Sequence, residues 1–284
     1  MSRYLITGAA GMLGRDLQAA LVGRDVTALD RTELDITDRD AVLATSAGFD
    51  VIINAAAYTK VDDAETNEDA AYLINATGPR HLALAAATTG AKLVQVSTDY
   101  VFDGSATSPY PEDTPIDPIS AYGRTKAAGE AFVREIHPAG SYIVRTAWLY
   151  GQHGPNFPKT MLKLATARDT LNVVDDQVGQ PTWTADLAAQ IVALLDSGAP
   201  AGIYHGTNSG VTSWFGFAQA VFTSAGLDPA RVTPTDSSQF VRPAPRPAYS
   251  VLGHNAWTAA GLAPLRDWRE ALADAGRHGI FEDK

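Results

Sequence analysis

The stretch "RYLITGAAGMLGRDLQAALVG", residues 3–23, constrains the fold more than any other part of the chain. A short apolar run leads to glycines at 8, 11 and 14, and then to apolar residues at helical spacing. That is the order of a strand, a tight turn and a helix. Each glycine has its own task. Gly8 permits the sharp turn, Gly11 lets the backbone approach a pyrophosphate, and Gly14 allows close packing of the helix, whose N-terminal amides face the anion. A dinucleotide is the ligand this arrangement suits.

The alternation continues. "DVTALD", "DVIINAAA", "KLVQVSTD" and "SYIVRTAWLYG" read as strands, and "DRDAVLATSAG", "NEDAAYLINATGPRHLALAAATTG" and "ISAYGRTKAAGE" as helices. A loop rich in Pro, Asp and Ser spans 104–120. This pattern predicts an α/β fold of the Rossmann type, a doubly wound parallel sheet with its ligand at the carboxyl ends of the strands. Residues 1–150 are expected to form the NAD(P)-binding domain. Beyond Gly151 the alternation weakens. "TWTADLAAQIVALLDSG" predicts a helix with Thr184 as N-cap, and "GIYHGTN" a strand returning to the main sheet, so 181–208 rejoin the first domain. The rest of 151–284 predicts a smaller, mixed α/β substrate-binding domain, discontinuous in sequence and built from 151–180 and 209–284.

Composition removes several function classes. A net charge of −10 disfavours a broad nucleic-acid-binding surface. With no cysteine, thiolate nucleophiles and zinc–sulfur sites are excluded, which fits a cytoplasmic protein. The six histidines lack paired metal-ligand spacing, so no metal site built by the protein is expected. No apolar run approaches the roughly 18 residues of a membrane span, and the N-terminus enters a strand pattern at once, without a signal peptide.

Asp30 ends the second strand, where a carboxylate can accept hydrogen bonds from a ribose. Arg31 beside it can instead hold a 2′-phosphate, which leaves NADH and NADPH both open. Asp35 and Ile36 are candidates to border the adenine, although Asp35 and Asp38 equally suit capping of the next helix. Tyr122 and Lys126 lie four residues apart on one helical face. A phenol near neutrality is a sluggish acid and base unless a cation stabilises its phenolate, and Lys126 can supply that cation. The strand ending "VSTD" brings Thr98 and Asp99 toward the same edge. Together these residues suit hydride transfer to a carbonyl: Tyr122 protonates the nascent alkoxide while Thr98 hydrogen-bonds the same oxygen.

The glycine turn, "VSTD" and "SAYGRTK" resemble the extended short-chain dehydrogenase/reductase superfamily. "INAAAYTKVDDAE", "VQVSTDYVFDG", "YGRTKAAGE", "VRTAWLYG", "VVDDQVGQPTWTADLA" and "RPAPRPAYSVL" follow in the order of dTDP-4-dehydrorhamnose reductases, across nearly the whole chain. The resemblance implies NAD(P)H-dependent reduction of the C4 ketone of dTDP-4-dehydro-L-rhamnose. It implies Tyr122 as proton donor with Lys126 as its partner, and Thr98, Asp99 and Trp148 against the sugar. Gly11, Met12, Leu13, Asp30, Asp35, Ile36, Ala57, Tyr58 and Thr59 would line the cofactor. Asn156, Lys159, Arg242 and Arg246 are candidates for the nucleotide diphosphate end. Some relatives are dimers bridged by magnesium on glutamates. Asp16 and Asp186 stand at the matching positions here without a third acid, which puts both the Mg2+ and the homodimer in question.

Two enzyme alternatives share the fold. A 4,6-dehydratase resembles a Thr-Asp-Glu run where this chain has Thr98-Asp99-Tyr100. A 4-epimerase would keep Tyr122 and Lys126 but carries other signatures than "DDQVGQPT". A non-catalytic NADP-binding regulatory subunit is a third reading, disfavoured by the intact Thr98, Tyr122 and Lys126 set.

Overall fold

The computed structural model describes residues 2–281. Its frame is a six-stranded parallel sheet made of β1 (Arg3–Thr7), β2 (Asp25–Leu29), β3 (Val51–Asn54), β4 (Lys92–Thr98), β5 (Ser141–Thr146) and β6 (Gly202–His205), in the order β6-β5-β4-β3-β1-β2. β3 and β5 are buried along their whole length. β3 accordingly reads as an apolar run closed by Asn54, whereas β5 buries Ser141, Arg145 and Thr146 beside its apolar residues. Helices Met12–Ala20 and Thr184–Ser197 pack together on one side of the sheet. Helices Arg39–Thr45, Gly78–Thr89 and Ala121–Ile136 contribute to the core on the other. The winding reverses between β1 and β3, so the crevice of a doubly wound sheet opens at Gly8 and at Ala55–Ala57.

A buried polar ladder fixes that edge. Thr7 Oγ1 donates to Asn54 Oδ1 at 2.7 Å, Asn54 Nδ2 donates to Gln95 Oε1 at 2.7 Å, and the Ala56 amide donates to Asn54 Oδ1 at 3.1 Å. Each group finds a partner, as burial demands.

The C-terminal half builds a second core around Tyr150, Trp183, Phe217, Phe222 and Trp268. Short pairs hold it together: Leu171–Val174 with Val232–Thr235, Val178–Gly179 with Thr212–Ser213, and Leu149–Tyr150 with Thr182–Trp183. Among the described residues no helix is long and apolar enough to cross a membrane.

Three local expectations change. The strand predicted from "SYIVRTAWLYG" stops at Thr146, because Trp148 takes a left-handed φ of 46° before pairing resumes at Leu149. Thr184 lies inside its helix and Trp183 occupies the cap, while Thr184 Oγ1 donates to the Tyr150 carbonyl at 3.2 Å. The helix from Glu68 to Thr89 contains a π-helical turn at Leu73–Thr77. That turn has a structural consequence. Asn75 within it accepts from the Tyr58 amide at 2.8 Å and donates to the Tyr58 carbonyl and to Thr125 Oγ1, each at 3.1 Å. The loop after β3 is thereby tied to the helix that carries Tyr122.

Candidate active site

The glycine turn has the geometry its sequence predicts. Gly8 has φ +75°, and a Cβ there would stand 2.5 Å from the Ala56 amide nitrogen. A Cβ on Gly14 would meet the Gly8 carbonyl oxygen at 2.3 Å. Gly11 differs: its only close neighbour would be the Gly8 oxygen at 3.2 Å. Packing thus explains Gly8 and Gly14, whereas Gly11 faces open space. It caps helix Met12–Ala20 without any side-chain hydrogen bond, and no acidic residue occupies the first turn. The amides of Met12, Leu13 and Gly14 are therefore left for an anion. The Leu13 side chain lies in the core, so only its backbone amide is open to such a ligand. The residues present fit a dinucleotide pyrophosphate.

Around the turn, Asp30 Oδ1 accepts from the Thr32 amide at 2.8 Å and from Thr32 Oγ1 at 2.7 Å, holding its carboxyl below the ordinary range. Arg31 is exposed beside it. Asp35 makes the same turn with Thr37, which lowers its carboxyl as well, and Asp38 caps helix Arg39–Thr45 by accepting from Ala41. Ile36 is buried against Gly78. Ala57 is half-buried and Thr59 exposed; Tyr58 hydrogen-bonds Asp63 through its hydroxyl.

The end of β4 meets the start of helix Ala121–Ile136. Ser120 caps that helix by accepting from the Gly123 amide at 3.1 Å. Gly123 lets the helix approach closely, because a Cβ would stand 2.2 Å from the Tyr100 carbonyl oxygen. Tyr122 packs edge-on against Tyr100, with centroids 5.5 Å apart. Burial pushes the Tyr122 phenol well above its ordinary value, and the Thr98 hydroxyl acts in the opposite direction. The phenol therefore keeps its proton at neutral pH, the state a donor needs. Lys126 is 4% exposed and its Nζ donates to the Val96 carbonyl at 2.6 Å. Burial draws its ammonium down to about 8.

Thr98 Oγ1 donates to Asp99 Oδ1 at 2.9 Å, while Asp99 Oδ2 has no hydrogen-bond partner. Burial raises the Asp99 carboxyl to about 6 from 3.8. Between those values the folded protein holds a proton that the unfolded chain releases, so stability falls as pH rises through this window and the loss is complete above it. Asp99→Asn keeps an acceptor for Thr98 and removes the charge. It is expected to raise unfolding stability by about 1–3 kcal/mol at pH 7.5 and to leave it unchanged near pH 4, measured by urea unfolding at both values.

A family sequence model described as RmlD substrate binding domain matches residues 2–278. A dTDP-4-dehydrorhamnose reductase of Streptomyces griseus is 54% identical over 281 residues, covering 96% of this chain and 92% of the relative. The chain belongs to the dTDP-4-dehydrorhamnose reductase family. Two further relatives bear on ligands. A dTDP-4-keto-6-deoxy-D-glucose reductase of Streptomyces niveus is 50% identical, with 96% of each chain covered. The crystal structure of the dTDP-4-dehydrorhamnose reductase of Bacillus anthracis, in complex with NADP, is 42% identical with a TM-score of 0.94, covering 98% of this chain and 99% of that one. As a reductase of this family, the chain is an oxidoreductase.

In the second core, Trp148 stacks on Trp214 with centroids 3.6 Å apart and planes 10° from parallel. A left-handed φ on a bulky residue costs about 1–3 kcal/mol and persists only where surroundings enforce it. The stack supplies one constraint, and Gly179 beneath the indole, where a Cβ would lie 2.6 Å from Trp148 Cε2, leaves room for the ring. The contacts of Trp214 and Gly179 with Trp148, and of Tyr100 with Tyr122, have no signal in the sequence. Trp214 and Phe217 are three apart on one helix, which reads as core spacing.

The diphosphate candidates separate. Asn156 caps helix Phe157–Ala167, accepting from the Lys159 amide at 3.1 Å and donating to the Gly151 carbonyl at 2.8 Å, so both ends of its amide are engaged in structure. Lys159 Nζ is spent on the Gln152 carbonyl at 2.7 Å. Arg242 is exposed. Arg246 pairs with Asp62 at 2.8 Å and lies over the Tyr100 ring, 5.9 Å from its centroid, the same ring that Tyr122 packs against.

The two acids matched to the magnesium positions do not fit a metal. Asp186 is gripped by Arg266 at 2.7 and 2.9 Å and by Asn208 Nδ2 at 2.9 Å. Asp16 has one buried oxygen without a partner, but among the described residues no three His, Asp or Glu side chains converge.

Proposed function

We propose that this chain reduces the C4 ketone of dTDP-4-dehydro-L-rhamnose to dTDP-L-rhamnose at the expense of NADPH, with Tyr122 as proton donor. The observation that carries this reading is the meeting of Thr98 and Tyr122 at the carboxyl end of β4, on the same sheet edge as the open glycine turn. Reduced nicotinamide, held with its pyrophosphate on the amides of Met12, Leu13 and Gly14, would supply the hydride. Tyr122 gives its proton to the carbonyl oxygen, completing the alcohol, and Thr98 hydrogen-bonds that oxygen as negative charge develops. Partial burial keeps the phenol protonated until charge builds beside it.

Other residues take supporting roles. The amides of Met12, Leu13 and Gly14 bind the pyrophosphate, and the exposed Arg31 meets the 2′-phosphate that distinguishes NADPH. Trp148 on Trp214 gives the sugar an apolar platform. Arg246 exchanges Asp62 for a diphosphate oxygen of the nucleotide, where its planar fork is at an advantage.

A second reading is the reduction of a related 4-keto sugar, favoured by the Streptomyces niveus relative at 50% identity. The decisive assay follows NADPH absorbance with dTDP-4-dehydro-L-rhamnose and with dTDP-4-keto-6-deoxy-D-glucose side by side. Faster oxidation with the rhamnose precursor is expected; a higher kcat/KM for the glucose-derived ketone would move the assignment to the second substrate, and no oxidation with either would end both.

A further inference from the structure

Helix Ala121–Ile136 carries a second buried charge below Tyr122. Lys126 and Glu130 are four residues apart on the same face, 4% and 1% exposed. Glu130 is in turn held from β5: Arg145, 1% exposed, donates through Nε at 3.0 and 3.2 Å and through Nη2 at 2.7 Å. Arg145 is itself fixed. Its Nη1 donates to the Glu112 carbonyl at 3.3 Å and meets His205 Nε2 at 3.4 Å, and its guanidinium lies over the Phe102 ring. Burial lowers His205 to about 3, so this imidazole stays neutral. Its Nδ1 then donates to the Gly253 carbonyl at 2.9 Å, leaving Nε2 as an acceptor for Arg145. The buried core behind the site therefore holds three charges in series, Arg145 positive, Glu130 negative and Lys126 positive.

A buried ammonium sheds its proton unless an opposite charge is fixed nearby. Lys126 Nζ itself donates to the Val96 carbonyl at 2.6 Å, and the Glu130 carboxylate, one helical turn away on the same buried face, is the nearby acid whose charge works against the effect of burial. The elements packed against this helix carry Lys92, Asp99 and Tyr100 on and after β4, Tyr142 and Arg145 on β5, Asp62, Asp63, Glu68, Asp69 and Tyr72 on the helices Val61–Ala64 and Glu68–Tyr72, and Arg80 and His81 on Gly78–Thr89, while Tyr122 lies on the helix itself and His205 and Glu112 meet Arg145. Of these, Arg145 is tied to the Glu130 carboxylate, and the Glu112 carboxylate accepts from the Ala256 amide.

We propose that Glu130, clamped by Arg145, is a positioning residue that keeps the buried Lys126 side chain charged in the working pH range. Its influence on rate rests on the role given to Lys126 above; its influence on charge does not. Removing Glu130 alone leaves Arg145 buried and unpaired, a strongly destabilising change, whereas replacing both partners with uncharged side chains of similar volume is often tolerated. Glu130→Gln is therefore paired with the double variant Glu130→Gln/Arg145→Met and with Glu130→Asp, which keeps the charge.

The test titrates lysine 13Cε resonances in the full chain, where Lys126→Met identifies one signal among six lysines. In parallel, kcat is measured against pH. The Lys126 signal is expected to titrate about one pH unit lower in the double variant, further down in any folded Glu130→Gln, and near the wild-type value in Glu130→Asp. The alkaline limb of the rate profile should move with it. An unmoved Lys126 titration in the double variant overturns the proposal, as does a wild-type lysine already neutral below about pH 7, a measurement that needs no variant of Glu130 to fold. If the titration moves and the rate limb stays, the Glu130 influence holds and the catalytic assignment of Lys126 fails.

Discussion

Tyr122→Phe is expected to lower kcat by about 10²–10⁴-fold, the usual contribution of a positioned general acid, while NADPH binding and thermal stability stay near wild type. The ring is the structural part of this residue: it packs edge-on against Tyr100 and borders the small cluster of Ala64, Ala71 and Ala121. Phenylalanine retains those contacts and removes only the hydroxyl. The measurement combines steady-state kinetics with titration of NADPH fluorescence and a melting curve. The rival donor is Asp99, buried with its carboxyl raised to about 6. The two differ in pH dependence. A carboxylic donor loses its proton as pH rises through about 6, so its rate would fall there, whereas the Tyr122 phenol remains protonated well beyond neutrality. Retained turnover in the phenylalanine variant, with a rate that falls above pH 6, would transfer the role to Asp99.

How far the sequence disclosed this site follows from where each residue finds its partners. The glycine turn was legible because its tasks are local: Gly8, Gly11 and Gly14 act within one strand–turn–helix unit. Tyr122 and Lys126 were legible because helical geometry alone puts them on one face. Asn156 was misread. A polar residue before an apolar run fits both a ligand contact and a helix cap, and here the cap has taken both ends of its amide. Asn75 gave no signal at all. It sits in what reads as plain helix, and its value lies in contacts with Tyr58 and Thr125 that only the tertiary fold creates. Glu130 is similar, since nothing local reveals that Arg145 on a neighbouring strand grips it. Trp148 fell between these cases: its motif marked it, but its left-handed backbone and its stack on Trp214 depend on the second core.

The glycine turn also supplies a test that separates a structural glycine from a ligand-binding one. In a free helix Gly→Ala stabilises by about 1 kcal/mol. At Gly14 the sign reverses, because the new Cβ would lie 2.3 Å from the Gly8 carbonyl oxygen and 2.9 Å from Ala9 Cα, backbone atoms that no rotamer change can move. Helix Met12–Ala20 must back away from the turn, so Gly14→Ala is expected to cost about 2–3 kcal/mol of stability and to weaken NADPH binding at the same time. Gly11 has an ordinary φ of −72° and one neighbour at 3.2 Å. Gly11→Ala is therefore expected to change stability by no more than about 1 kcal/mol. On the pyrophosphate site proposed above, its methyl group would crowd the anion at the free amides, and NADPH affinity should fall about tenfold or more. Urea unfolding and NADPH fluorescence titration on the two variants give four numbers. Equal losses of affinity and stability at both positions would mean that Gly11 is a packing residue too, and the pyrophosphate would have to be sought away from this helix.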